Sequence, residues 1–151
     1  MNLKIIEATP QDSNIIIELI KALYIELGEE SESVGFLNAA IVYELLNNGK
    51  TEIYLVLDET ENIIGIQTLT ECQSLYAGGT YGIIDELYVL PDFREHGIGS
   101  LMLSFIKEIG KERKWNRIEL TGPTEERWKR TIDFYERSGF VFTGPKMKYL
   151  L

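Results

Sequence analysis

Two spacings of apolar residues alternate along this chain, and the switches between them mark its elements. Residues 2–8 are rich in Leu and Ile and predict a short first strand. TPQD follows: Thr9 can cap a helix, Pro10 suits its first position, and Asp12 puts an acid at its positive end. That helix runs to about Leu27 and stops at Gly28. A polar link, EESES, leads to a second helix over about 33–47, where Phe36, Leu37, Ala40, Ile41 and Leu45 have helical spacing, and NNGK ends it. The period then becomes two. Ile53, Leu55 and Leu57 alternate with Tyr54 and Val56, residues 58–62 supply a turn, and 63–70 return as the second arm of a hairpin. Past a loop containing AGGT, residues 81–90 predict a fourth strand, 98–113 a helix and 117–121 a strand. GPTEERWKRTIDFYERSG predicts a helix with Pro123 near its start and Gly139 just beyond its end. Residues 140–143 and 146–150 are expected as the last two strands.

The predicted order is βααβββαβαββ. Seven strands and four helices in this mixed order indicate an α/β (mixed α+β) sheet with helices on its faces. No repeat, linker or low-complexity tract interrupts residues 1–151, so a single domain is expected.

Charge and cysteine content narrow the function. Lys plus Arg number 15 and Asp plus Glu 24, a formal charge of −9. Such a surface repels phosphate backbones and argues against general nucleic-acid binding, while mildly favouring cationic substrates. The lone cysteine, Cys72, cannot form an intramolecular disulfide, and the lone histidine, His96, stands without the cluster that a metal site needs. No apolar run approaches the roughly 20 residues of a membrane span, and MNLKIIEATPQD is unlike a signal peptide. The cytoplasm is the expected location.

The strongest chemical signal is LYVLPDFREHGIGSLML, from Leu87 to Leu103. A strand breaks at Pro91, passes Arg94, Gly97 and Gly99, and becomes a helix. A helix start offers unpaired N–H groups and a partial positive charge, and glycines let an anion come close. Arg94 would add a permanently charged donor. The same pattern also fits a plain turn that needs two flexible residues. The nucleoside-triphosphate loop would need Lys-Ser/Thr after Gly99, and the dinucleotide fingerprint a glycine where Met102 stands.

IIDELYVLPDFREHGIGSLML resembles the acetyl-CoA-binding core of the GNAT superfamily of N-acetyltransferases through Leu87, Tyr88, Val89, Pro91, Arg94, Gly97 and Gly99. TIDFYERSGFVFTG resembles a second segment of that family through Phe134, Tyr135, Gly139 and Phe140. The resemblance spans the chain and implies a mixed, mostly antiparallel sheet of about seven strands. No metal is expected, because the lone His96 has no ligand cluster around it, and the resemblance implies acetyl-CoA as co-substrate. Its pyrophosphate would lie against backbone N–H groups of Glu95, His96, Gly97, Ile98, Gly99 and Ser100, with Arg94 in support. Leu87, Tyr88 and Val89 would line the pantetheine, the backbone of Leu87 and Val89 pairing with it, in a gap between the fourth and fifth strands. Tyr135 takes the place of the family's general acid, and Glu86 is the preferred base, with Asp85 or water as alternatives. The pair Asp85 and Glu86 is expected on opposite sheet faces. Trp128 stands where many members have asparagine, and Thr131 where they have alanine.

The expected activity is transfer of acetyl from acetyl-CoA to a primary amine by direct attack in a ternary complex. A small-molecule amine rather than a protein is the expected acceptor, and Glu26, Glu29, Glu30 and Glu32 could attract a cationic one. A non-catalytic CoA or nucleotide sensor and a protein N-terminal or lysine acetyltransferase remain the alternatives. Homodimers are frequent in that superfamily.

Overall fold

The computed structural model describes residues 2–28 and 33–151. Glu29, Glu30 and Glu32, considered above as a cation-attracting segment, lie outside the described residues. Strand β1 (Lys4–Glu7) leads through a 3-10 turn at Pro10–Asp12 into helix α1 (Ser13–Leu27). The Asp12 carboxylate accepts from the Thr9 N–H at 2.8 Å and from its hydroxyl at 3.1 Å, which fixes that entry. Gly28, at φ 77°, ends α1 in the left-handed conformation.

The second predicted helix is two helices, α2 (Ser33–Phe36) and α3 (Ala39–Asn47). Asn38 causes the break. Its side-chain oxygen accepts from the Ile41 N–H at 3.1 Å and caps a new helix rather than continuing the old one.

Strands β2 (Thr51–Leu57), β3 (Ile63–Ser74) and β4 (Gly79–Val89) form an antiparallel meander beside β1. Helix α4 (Ile98–Glu112) crosses over to β5 (Ile118–Leu120), which runs parallel to β4. Helix α5 (Lys129–Arg137) follows. The sheet order is β1-β2-β3-β4-β5. Helices α1 and α3 cover one face, over Ile53, Leu55, Leu57, Ile66 and Tyr88. Helices α4 and α5 cover the other, where Leu103 and Ile106 meet Tyr54, Leu69 and Ile84.

Three expectations need correction. Among the described residues there are five strands and five α-helices, not seven and four. Residues 140–143 and 146–150 pair with no strand, and Val141, Met147, Tyr149 and Leu151 are exposed. Their alternation signals strand propensity, but a strand exists only with a partner, and β5 is only three residues long. The last helix starts at Lys129, after a 3-10 turn at Glu126–Trp128, so Pro123 lies in the preceding loop and not in the helix's first turn.

Candidate active site

Strands β4 and β5 pair only through Gly82, Ile83 and Ile84 against Ile118, Glu119 and Leu120. Beyond Ile84 the edge of β4 has no strand beside it among the described residues. The Leu90 N–H donates to the Ile64 carbonyl, so the two-residue alternation turns Tyr88 toward β3 and leaves Leu87 and Val89 facing the open side. The Val89 carbonyl there accepts from Arg94 Nε at 2.9 Å. A cleft of about 530 Å³ opens beside this edge, walled by Leu87, Val89, the Arg94–Ser100 turn, Trp128, Phe134 and Tyr135.

The turn supplies the cleft's floor. The first bond of the α4 ladder runs from the Leu101 N–H to the Gly97 carbonyl, so the N–H groups of Ile98, Gly99 and Ser100 precede the ladder. Among the described residues no side chain caps them. The two glycines serve different ends. Gly97 sits at φ 77°, and a Cβ there would meet nothing within 4 Å, so the requirement is backbone conformation. A Cβ on Gly99 would come within 3.0 Å of the Phe134 ring, so its absence lets α5 close onto the start of α4. The Ile98 side chain is buried in the core, and the His96 ring turns back toward the Phe93 carbonyl at 3.3 Å, outside the cleft lining. Ile98 thus meets the cleft without its buried side chain, and His96, expected in the cradle, is not part of the lining.

Arg94 is already engaged. It donates to both oxygens of Glu26 on α1, each at 2.8 Å, and lies 5.3 Å from the centre of the Tyr88 ring. It ties α1 to the cradle, and it neutralises the one acid of the Glu26–Glu32 run that the structure describes. Four arginines, Arg94, Arg127, Arg130 and Arg137, line the cleft of a protein whose net charge is −9. Only Arg94 stood out in the sequence. The other three lie on α5 or the turn before it, and their convergence required the close approach at Gly99.

Asp85 and Glu86 do not face opposite sides. The β3–β4 register shifts between Thr68 and Leu69, which pair with Glu86 and Ile84 and leave Asp85 as an inserted residue. This bulge cancels one step of the alternation. Asp85 accepts from the Thr70 hydroxyl at 2.6 Å, Glu86 accepts from the Thr68 hydroxyl, and these threonines share a face of β3. Tyr24 of α1 also donates to Glu86, at 2.6 Å. Burial pushes the Glu86 carboxyl above the usual carboxylate range, against the opposing effect of its Thr68 and Tyr24 hydrogen bonds. Sequence reading missed Tyr24 and Thr68, which are 62 and 18 residues away from Glu86.

Burial pushes the Tyr135 phenol up to about 12. It packs among Phe134 and Phe140, at ring separations of 5.2 and 6.0 Å. A larger hollow of about 830 Å³ lies on its other side, between β5, the end of α4 and residues 138–146. That hollow has neither the free N–H groups nor the open β4 edge, which both lie at the smaller cleft. Among the described residues no cluster of His, Cys, Asp and Glu could hold a metal, and no helix is long and apolar enough to cross a membrane.

Comparison with known proteins agrees with this geometry. The family model for an acetyltransferase (GNAT) domain matches residues 50–142, more than half of the chain. An aminoglycoside acetyltransferase from an uncultured soil metagenomic sample superposes with a TM-score of 0.82 at 18% identity, over 100% of this chain and 99% of its own. A transcriptional regulator from Bacillus halodurans C-125 gives 0.79 at 25% identity, over 98% of this chain and 100% of its own. A ribosomal-protein-alanine N-acetyltransferase from Brucella melitensis biovar Abortus 2308 gives 0.72 at 18% identity, over 99% and 98%. The open β4 edge, the glycine turn that starts α4 and the matching family model together show that this chain belongs to the GNAT acetyltransferase family.

Proposed function

We propose that residues 1–151 act as one acetyl-CoA-dependent N-acetyltransferase domain whose acceptor is a small primary amine. The observation that carries this reading is the cleft itself. It combines three unladdered N–H groups, four arginines and an unpaired strand edge, which suit a pyrophosphate followed by an amide-bearing arm. Bound there, acetyl-CoA would supply an activated acetyl thioester. The N–H groups of Ile98, Gly99 and Ser100 would hold its pyrophosphate, and the backbone of Leu87 and Val89 its arm. The free Leu87 N–H would stabilise negative charge developing on the thioester oxygen.

Glu86, raised by burial and fixed by Tyr24 and Thr68, is suited to take a proton from the attacking ammonium, with Asp85 exposed beside it. The neutral amine nitrogen forms the new bond to the acetyl carbon, the carbon–sulfur bond breaks, Tyr135 protonates the departing thiolate, and the second proton leaving the nitrogen restores the phenol through solvent. A phenol near 12 is a reluctant acid for an ordinary thiolate. The same burial raises a thiolate held beside it, which brings the two groups closer in basicity. A small cationic acceptor is favoured by the exposed Asp85 carboxylate and by the aminoglycoside acetyltransferases among the structural neighbours.

Calorimetry with acetyl-CoA, using CoA and ATP as comparators, tests the reading. Micromolar acetyl-CoA binding, weak ATP binding and loss of both on Gly97→Val are expected. No acetyl-CoA binding by folded protein would remove the enzyme reading and leave a scaffold without its co-substrate.

A further inference from the structure

Glu95 is an odd residue for an anion cradle. It stands two positions before Gly97, its φ is 69°, and its carboxylate lies in the wall of the cleft meant for a polyanion. A side chain in left-handed backbone is itself unfavourable, so both conformation and charge need an explanation. Its partner supplies one. Glu95 is ion-paired with Arg130, in the first turn of α5 on the facing wall. The pair bridges the cradle to α5 and masks one negative and one positive charge. Both side chains are largely exposed, at 70% and 72%.

The four arginines of the cleft differ in what holds them. Arg94 is held by Glu26 and the Val89 carbonyl, both outside the turn. Arg127 is paired with Glu125 at 2.8 Å and stacks on Trp128. Arg137 has no ion-pair partner among the described residues and lies seven positions along α5 from Arg130, about 10 Å away. Arg130 alone is held by an acid of the cradle. An exposed ion pair contributes little and is readily exchanged. A phosphoryl group offers a guanidinium stronger, charge-assisted paired bonds.

We infer that Arg130 is a phosphoryl-binding residue held in reserve by Glu95, which an entering phosphorylated ligand displaces. In the ligand-free protein Glu95 occupies the guanidinium; in the bound protein Arg130 passes to the ligand and Glu95 turns to solvent. The inference rests on the acetyl-CoA reading of the cleft and adds a residue that selects for phosphate.

Calorimetric titration of wild type, Glu95→Gln, Arg130→Gln and the double variant decides it, with acetyl-CoA, acetyl-dephospho-CoA and inorganic pyrophosphate as probes. Glu95→Gln should tighten acetyl-CoA binding several-fold, because Arg130 no longer has to be released. Arg130→Gln should weaken it roughly tenfold or more, and by a larger factor in the Glu95→Gln background, where no pair has to be broken first. If Arg130→Gln is harmless once Glu95 is gone, Arg130 only masks Glu95 and the inference fails. It also fails if Glu95→Gln leaves affinity unchanged or weaker. An Arg130 effect that persists with acetyl-dephospho-CoA assigns the contact to the pyrophosphate, and one that vanishes assigns it to the ribose phosphate. Both substitutions lie on exposed side chains, so folding should survive, and an unchanged thermal midpoint checks it. Wild type that binds pyrophosphate through Arg130 but not acetyl-CoA would sink the functional reading while keeping this one.

Discussion

At the scale of single residues, the roles proposed for Tyr135 and Glu86 place opposite demands on protons, and burial suits both. The phenol is kept protonated across the working range, and the carboxyl is raised toward it. Tyr135→Phe removes the acid and little volume. It should lower kcat by roughly 100-fold or more while leaving acetyl-CoA binding nearly intact. Thiol release in steady state and calorimetry on the same preparation measure the two effects, and unchanged turnover would end the assignment. Glu86 makes a prediction about stability as well. Its folded value lies above its unfolded one, so the folded protein retains a proton that the unfolded chain has lost. Stability is therefore greatest below the unfolded value and falls as pH rises through the folded one. Glu86→Gln should abolish this fall, so the variant gains on wild type between acid and neutral pH. Urea denaturation at several pH values shows it, and a difference independent of pH would mean that burial is not the cause. The same substitution should remove the acidic limb of the kcat/KM profile if Glu86 is the base.

At the scale of elements, the site depends on two contacts that bring distant segments together. Gly99 lets α5 approach the start of α4, and Arg94 fastens α1 to the end of β4. Arg94 and Glu26 are about a third exposed, so solvent screening keeps their pair modest despite its paired geometry. Arg94→Ala should cost about 1 kcal/mol, the scale of a screened pair plus one backbone hydrogen bond. It should also raise the KM for acetyl-CoA, because the turn loses its anchor. Arg94→Lys should recover little, since an ammonium cannot bond both Glu26 oxygens and the Val89 carbonyl from one plane. A lysine variant equal to wild type in thermal midpoint and KM would show the anchor to be a simple charge.

At the scale of the whole molecule, a net charge of −9 stands against a cleft lined by four arginines. Distance decides between them. Charges beyond a Debye length of about 8 Å at physiological salt are largely screened, whereas an anion entering the cleft would meet the arginines that line it directly. Local attraction should therefore win, and the acetyl-CoA Kd should rise with added salt. A Kd that falls with salt would mean that the overall charge dominates. For a cationic amine acceptor the two scales act together near Asp85, and its KM should rise with salt as well.

Apart from the split at Asn38, the order of elements through residue 120 was legible because apolar spacing reports which side of a helix or strand is buried. The glycine turn was legible because its chemistry is local: a strand end, a left-handed residue and a helix start are neighbours in sequence. Where spacing misled, a choice between partners was at stake. Asn38 chose to cap and so split a helix, and residues 140–150 had strand alternation without a strand beside them. The bulge at Asp85 turned Glu86 to the face where Tyr24 and Thr68 wait, which no alternation count could reveal. The commitment of Arg94 to Glu26 and of Arg130 to Glu95 was hidden for the same reason. Sequence spacing determines which way a side chain leans along its own element, while only packing in three dimensions determines what it meets.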